Sequence, residues 1–283
     1  MQVCALDDKN CLVFAEKAAK QKDYGCLECG EIVRLRSGVH RKAHFYHSKP
    51  NGKCRLHSKG MPHLMLQYRL HSLLPNGEGE LECRFPSIGR IADVVWHTKH
   101  IVYEIQCSPI SAEEVLARNA DYASVGYQVV WIFHASRYNQ YRLSAAEKAL
   151  SDSPHYFTTI NSRGDGEVYD QYSIVDKGMR KYRLPPLPVD LVSPLLFPLS
   201  SENFPSQIRL RMDAWPIYFA GDTIDSCVKG VDKELLAHIE RLPDTVNPLL
   251  VPYVIGGIKN IFDKWIAGPY QALFKLLLEK ASG

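Results

Sequence analysis

Two carboxylates stand where a strand normally places Val or Ile. In residues 89–108, GRIADVVWHTKHIVYEIQCS, the apolar runs IADVVW and IVYEIQC each carry one acid, Asp93 and Glu104. Strand interiors disfavour both residue types, Asp the more strongly. If HTKH at 97–100 is a four-residue connection, Trp96 faces Ile101 and Asp93 falls directly opposite Glu104. Opposed residues have Cβ atoms about 4.5–5.5 Å apart, so the like charges repel unless a cation joins them. The period of two puts Gln106 on the face of Glu104 and sends Tyr103 and Ile105 to the other. Hard Mg²⁺ or Mn²⁺ suits such oxygen donors, and it can orient a water and stabilise charge developing on a phosphoryl group. The plainer alternative pairs Asp93 with Arg90 or another base and leaves Glu104 at a solvated edge.

A second group of chemically capable residues lies upstream. Cys26 and Cys29 form a Cys-x2-Cys pair followed by Gly30, and His44, His47, Cys54 and His57 come next. Zinc takes four tetrahedral N or S ligands, and a Cys-x2-Cys turn presents two thiolates to one ion. The other two ligands come from that second set, which spacing leaves open. A fully protein-ligated Zn²⁺ would supply folding energy to a small, core-poor segment. Unrelated polar residues in a loop are the bland reading. A zinc deaminase is excluded, because Gly25 rather than Pro precedes Cys26 and no His lies before it.

These groups need elements to hold them. MPHLMLQYRLHSLL has Met61, Leu64, Met65, Tyr68 and Leu73 at helical spacing. ELECRF, RIADVVW and IVYEIQC read as three strands, and SAEEVLARNADYASV as a helix with Ser111 and Glu114 in a capping box. YQVVWIFH after Gly126 reads as a buried strand. The order is helix, three strands, helix, strand. Before it come a strand, MQVCAL, and a polar helical run, AEKAAKQKD. After it, the Pro-rich LPPLPVD at 184–190 suggests a linker, and DKELLAHIERL and PYQALFKLLLEK suggest helices. Three regions are therefore expected: 1–58 with the Cys/His segment, 59–183, and a mostly helical 184–283 whose apolar helices finish the core or bind a partner or a second copy.

Asp93, ten intervening residues, and Glu104-Ile105-Gln106 resemble the D…(D/E)-x-K signature of the PD-(D/E)XK nucleases, with Gln in place of Lys. The element order resembles that mixed α/β (α+β) core. A closer resemblance is to the competence protein CoiA-like family, carried by YGCLECG, HFYH, RIADV, YEIQCSPIS, ARNADY and VVWIF over residues 1–135. The resemblance implies a DNA nuclease in which Asp93 and Glu104, with the Ile105 carbonyl, hold Mg²⁺ or Mn²⁺ and Gln106 orients the attacking water or meets the scissile phosphate. Neutral Gln supplies none of lysine's charge. Arg118 and Tyr122 resemble the Gln-x3-Tyr element of recombination-type exonucleases and would contact DNA, with Arg90 beside them. His63 matches a helical His of the family, and its role would be catalytic. The Glu-Ser pair that precedes this His in the family is replaced by a region holding Lys59.

Arg34, Arg36, Arg41 and Lys42 suit phosphate contacts. The formal net charge of +3, with 46% hydrophobic and 23% charged residues, is that of an ordinary globular protein and does not by itself argue for nucleic acid. MQVCALDDKN does not resemble a signal peptide, and NPLLVPYVIGGI is too short and too rich in Pro and Gly to span a bilayer. Eight cysteines in such a chain point to metal or core use and to a cytoplasmic, membrane-free protein. Two other functions compete with the nuclease. One is a DNA-binding recombination accessory protein, weak or inactive in catalysis. The other is a His-metal nuclease centred on His40, His44 and His47, which leaves Asp93 and Glu104 unexplained.

Overall fold

The computed structural model describes residues 1–196 and 217–229, apart from 40, 50–53, 55, 57–58, 151–152 and 154. The described residues form a mixed α+β arrangement. Strands β1 (Cys4–Leu6), β2 (Leu12–Phe14), β3 (Asp23–Gly25), β4 (Ile32–Gly38) and β5 (Arg41–His47) make a five-stranded sheet in the order β2-β1-β3-β4-β5. A bridge between Gln2 and Phe45 ties its N-terminal end to β5. The helix expected over AEKAAKQKD is only a 3-10 turn, Ala15–Lys17. That run has no apolar stripe to bury, and the Ala19 amide donates to the Tyr24 hydroxyl (2.8 Å) instead of extending a helix.

The remaining elements follow the expected order. Helix α1 (Met61–Leu73) precedes β6 (Gly79–Phe85), β7 (Arg90–Trp96) and β8 (Ile101–Gln106); then come α2 (Ala112–Ser124) and β9 (Gln128–His134). Beyond these lie α3 (Ala145–Ala149), β10 (His155–Thr158), β11 (Val168–Asp170), β12 (Ser173–Asp176), β13 (Met179–Arg183), β14 (Leu187–Pro188), β15 (Asp190–Leu196), β16 (Ile217–Ala220) and α4 (Thr223–Lys229). One seven-stranded sheet runs β14-β11-β10-β9-β8-β7-β6. Its parallel steps are β8–β9 and β9–β10, and the rest are antiparallel.

Leu187–Pro188, inside the Pro-rich stretch, pairs with β11 as the sheet's last strand, an edge position that tolerates Pro. The two C-terminal helices expected after it lie outside the described residues.

Two apolar layers cover the sheet. Leu64, Leu66, Leu70, Val94, Tyr103, Val130 and Ile132 belong to one, which merges with the core of the five-stranded sheet. Ala92, Val95, Val102, Val115, Tyr122, Trp131 and Phe133 belong to the other. The buried face of α1 is not the stripe read from periodicity: Leu73 is exposed, while His63 and Gln67 are buried beside Leu64, Leu66 and Leu70. Two polar positions go under because they meet Asp93.

α2 begins as expected at Ser111, whose hydroxyl accepts from the Glu114 amide (3.2 Å). The returning half of the capping box is taken over, because the Glu114 carboxylate accepts from Arg90 (2.8 Å) and Arg118 (2.9 Å).

Candidate functional site

The β7–β8 connection is a 3-10 turn at His97–Lys99, closed by His100 in the left-handed region (φ 55°). It sets the register Trp96–Ile101, Val95–Val102, Val94–Tyr103. The paired register ends there, as the four-residue connection sets it, with Asp93 and Glu104 the next residues along. There Asp93 replaces ladder with side chain: its Oδ2 accepts the Ile105 amide (2.8 Å). Asp93 and Glu104 are 4% and 1% exposed, so neither lies at a solvated edge.

Charges from both flanking helices meet them. Lys59, one residue before the N-cap of α1, places Nζ 2.7 Å from Asp93 Oδ1 and 3.1 Å from Glu82 Oε1. His63 Nε2 is 3.1 Å from Asp93 Oδ1, and Gln67, one turn on, donates to the Asp93 carbonyl (3.0 Å). On the α2 side Arg118 Nη1 lies 2.5 Å from Glu104 Oε2, and the Tyr122 hydroxyl donates to Oε1 (2.9 Å). Arg118 and Tyr122 do share a helix face, but that face grips Glu104, and Tyr122 is fully buried. The base on Asp93 is Lys59 rather than Arg90, which is held by Asp121 (2.7 Å) and Glu114 (2.8 Å). Gln106 lies next to this group with its amide nitrogen on the Ser108 carbonyl (2.8 Å) and hydroxyl (3.0 Å).

Burial opposes ionisation of Asp93, but His63 and Lys59 override it and hold the carboxyl well below the usual range. Burial holds His63 below the ordinary imidazole range, with Asp93 opposing it. Burial would also lower Lys59, yet Asp93 and Glu82 keep it above its ordinary value. Glu104 moves upward: burial is the main cause, Arg118 opposes it, and the Asp93 charge adds to it. The two acids are thus pushed apart by their surroundings, a pattern common at functional sites.

Glu82 is a third acid that sequence reasoning missed. It is buried, adopts a left-handed backbone (φ 49°), and accepts the Val3 (2.9 Å) and Cys4 (2.8 Å) amides besides Lys59. The available signal was an acid inside the apolar run ELECRF, the same irregularity that marks Asp93 and Glu104. Lys59 likewise belongs to the site, although its position was read as a lost acid.

A cavity of about 400 Å³ opens beside this group, lined among others by Lys59, His63, Asp93, Gln106 and Arg118. The donor chemistry fits a hard divalent ion: two carboxylates stand on adjacent strands, where positive charge is already held. All four of their oxygens accept from Lys59, His63, Ile105, Arg118 or Tyr122. A cation held there would have to exchange with these protein donors; Lys59 and Arg118 line the cavity beside Asp93.

Cys26, Cys29, His47 and Cys54 converge, with all four ligand atoms within 4.8 Å of one another. Cys26 and Cys29 sit on the β3–β4 turn, where Gly30 adopts φ 71° and donates to the Cys26 carbonyl (3.1 Å). His47 ends β5. Sγ of Cys26 and Cys54 are 3.7 Å apart, and Cys29 Sγ is 3.3 Å from His47 Nε2. With Zn–S near 2.3 Å and Zn–N near 2.0–2.1 Å, tetrahedral edges come to about 3.8 and 3.5 Å, so this set fits a zinc-like ion.

His44 is the candidate left out. It is three residues from His47 on one strand, hence on the opposite face, with Nδ1 at the Lys42 carbonyl (2.8 Å). His40 and His57 lie outside the described residues. Of the basic set, Arg34 pairs with Asp23 (2.6 Å), Arg36 stacks on Tyr46 (4.2 Å), and Lys42 lies 3.7 Å from Glu16; all three are exposed. The Arg41 backbone lies in β5.

Residues 12–57 match the family model "Competence protein CoiA, N-terminal domain", and residues 59–165 match "Competence protein CoiA, nuclease-like domain". Together these spans cover more than half of the 283 residues. No curated protein and no solved structure matches the chain.

Proposed function

The chain belongs to the competence protein CoiA family, and on that premise we propose that it is a Mg²⁺- or Mn²⁺-dependent deoxyribonuclease acting in DNA uptake and recombination or against foreign DNA. The observation that carries the reading is the pair of buried acids on adjacent strands, Asp93, which lines a cavity together with Lys59 and Arg118, and Glu104, held by Arg118. Asp93 and Glu104 are the ligands to the ion. Once bound, that ion lowers the pKa of a water and offsets charge on the phosphoryl group.

The chain's own residues divide the remaining work. Lys59 brings to the cavity the positive charge that Gln106 lacks. With its amide nitrogen on Ser108, Gln106 has its Oε1 for orienting a water. His63 and Tyr122 are positioning residues that fix Asp93 and Glu104 by hydrogen bonds. Arg118, in the cavity wall, exchanges Glu104 for a DNA phosphate, a bidentate partner of the same charge. Arg90, Arg34, Arg36, Arg41 and Lys42 add phosphate contacts that carry no sequence information. The three-cysteine, one-histidine cluster binds Zn²⁺ and holds the N-terminal module together. The protein works in the cytoplasm. No helix of the described residues is long and apolar enough to cross a membrane. Residues 184–283 serve a protein partner or self-association.

A second reading, a DNA-binding accessory protein without catalysis, is favoured by one observation: every oxygen of the two acids is already matched by a protein donor. Incubation of plasmid and linear DNA with Mg²⁺ or Mn²⁺ separates the two. The nuclease reading expects cleavage by wild type and none by Asp93→Ala or Glu104→Ala. Retention of DNA without cleavage, or equal cutting by the variants, sinks it.

A further inference from the structure

Glu80 and Cys83 are three residues apart on β6 and by simple alternation face opposite sides of the sheet. They do not. The pairs Glu80–Val95 and Leu81–Val94 are followed by Cys83–Ala92, with left-handed Glu82 between them (φ 49°). Leu81 and Val94 pack in one apolar layer, while Cys83, Ala92 and Val95 pack in the other. The turn of backbone at Glu82 thus brings the Glu80 carboxylate and the Cys83 thiol to the same side, where His97 of the β7–β8 turn joins them. The three ligand atoms lie within 4.8 Å of one another. His97 Nε2 is 2.9 Å from Glu80 Oε2, and its Nδ1 is 3.0 Å from the Tyr127 hydroxyl.

We propose that Glu80, Cys83 and His97 form a second metal site, separate from the Asp93–Glu104 pair and from the Cys26–Cys29–His47–Cys54 cluster, and that it takes a borderline divalent ion such as Zn²⁺. One oxygen, one sulfur and one nitrogen donor select that class over Mg²⁺ or Ca²⁺, and three protein ligands leave a fourth position for water. Tyr127 supplies the outer contact that ligating histidines use. In the neutral ring the proton moves to Nδ1 and donates to the Tyr127 oxygen, which frees the Nε2 lone pair for the ion. Half-exposed Glu80 and His97 give solvent access, while Cys83 anchors the site from the buried side. The ion clips β6 to the β7–β8 turn, at the far end of the hairpin that carries Asp93 and Glu104.

Zn²⁺ uptake by the full chain, measured by equilibrium dialysis and elemental analysis, tests this. Wild type is expected to retain two ions, and His97→Ala and Cys83→Ser one each, with Tyr127→Phe weakening the second by about 10- to 100-fold. Co²⁺ gives an independent reading that does not depend on stoichiometry. Thiolate-to-cobalt absorption falls by about a quarter in His97→Ala, because one of four thiolate ligands is lost with the second ion. His97 lies half-exposed on a turn, so that variant keeps its fold even if substitution of buried Cys83 does not. Retention of a single ion by wild type, or of two ions with an unchanged cobalt spectrum by His97→Ala, overturns the proposal.

Discussion

Arg118→Met removes the one cation among the described residues that touches Glu104. The carboxylate is 1% exposed and already held above its ordinary range by burial and by the Asp93 charge. Met replaces the bulk of Arg without its charge, and Tyr122 remains as the donor to Oε1. Glu114, the other acceptor of Arg118, keeps Arg90 (2.8 Å). The loss is therefore that of half a buried pair, about 3–5 kcal/mol near neutral pH. At 2–4 °C per kcal/mol for a body of this size, melting falls by about 6–20 °C.

The pH dependence follows from the sign of the shift. A carboxyl whose folded pKa is raised costs stability once it ionises, so the defect grows as pH rises through the folded value. Below the unfolded value, near 4.3, Glu104 is protonated in both states and only the packing loss remains. Glu104→Gln added to Arg118→Met removes the stranded charge and restores most of the loss. Thermal melts of the two variants and wild type across that pH range are the assay. A drop of under about 2 °C near neutral pH, a defect that does not change with pH, or no rescue by Glu104→Gln refutes the assignment of Arg118 as the counter-ion.

Asp93→Asn is expected to reduce DNA cutting by roughly 10²-fold or more, read from initial rates on linear DNA. Since Asp93 is held below its usual range, its stabilising contribution is complete above about pH 4 and is lost as pH falls toward the folded value; the acid limb of a melting profile is accordingly shallower in Asp93→Asn. Glu82→Ala strands the Val3 and Cys4 amides and one side of Lys59, costing about 3 kcal/mol by denaturant titration; an unchanged midpoint would remove Glu82 from the account. Withdrawal of metal from the Cys26–Cys29–His47–Cys54 cluster by a chelator lowers stability by about 4 kcal/mol when the free ion stood at 1,000 times its Kd. Cys54→Ser removes that part of the chelator response, and a response as large in Cys54→Ser as in wild type places the ion elsewhere.

Much of the site was legible along the chain because its signals are local. A four-residue connection and a side-chain period of two fix which residues of RIADVVW and IVYEIQC come level, and they need no knowledge of the rest of the molecule. Ser111 as an N-cap and Cys26 with Cys29 on one turn are likewise short-range geometry. The periodic reading of α1 failed where a distant partner intervened. His63 and Gln67 are buried because Asp93 lies opposite them, while Leu73, counted into the apolar stripe, ends up exposed.

Only the tertiary structure decided which cations neutralise the acids. It turned Arg118 and Tyr122 inward onto Glu104 and brought Lys59 between Asp93 and Glu82. It also chose His47 and Cys54 over His44, and placed Glu82 under the amides of Val3 and Cys4. Each choice joins residues far apart in sequence. Backbone periodicity says which way a side chain points along its own element, but its partner depends on how elements pack, and a buried charge takes whichever counter-charge that packing brings within reach.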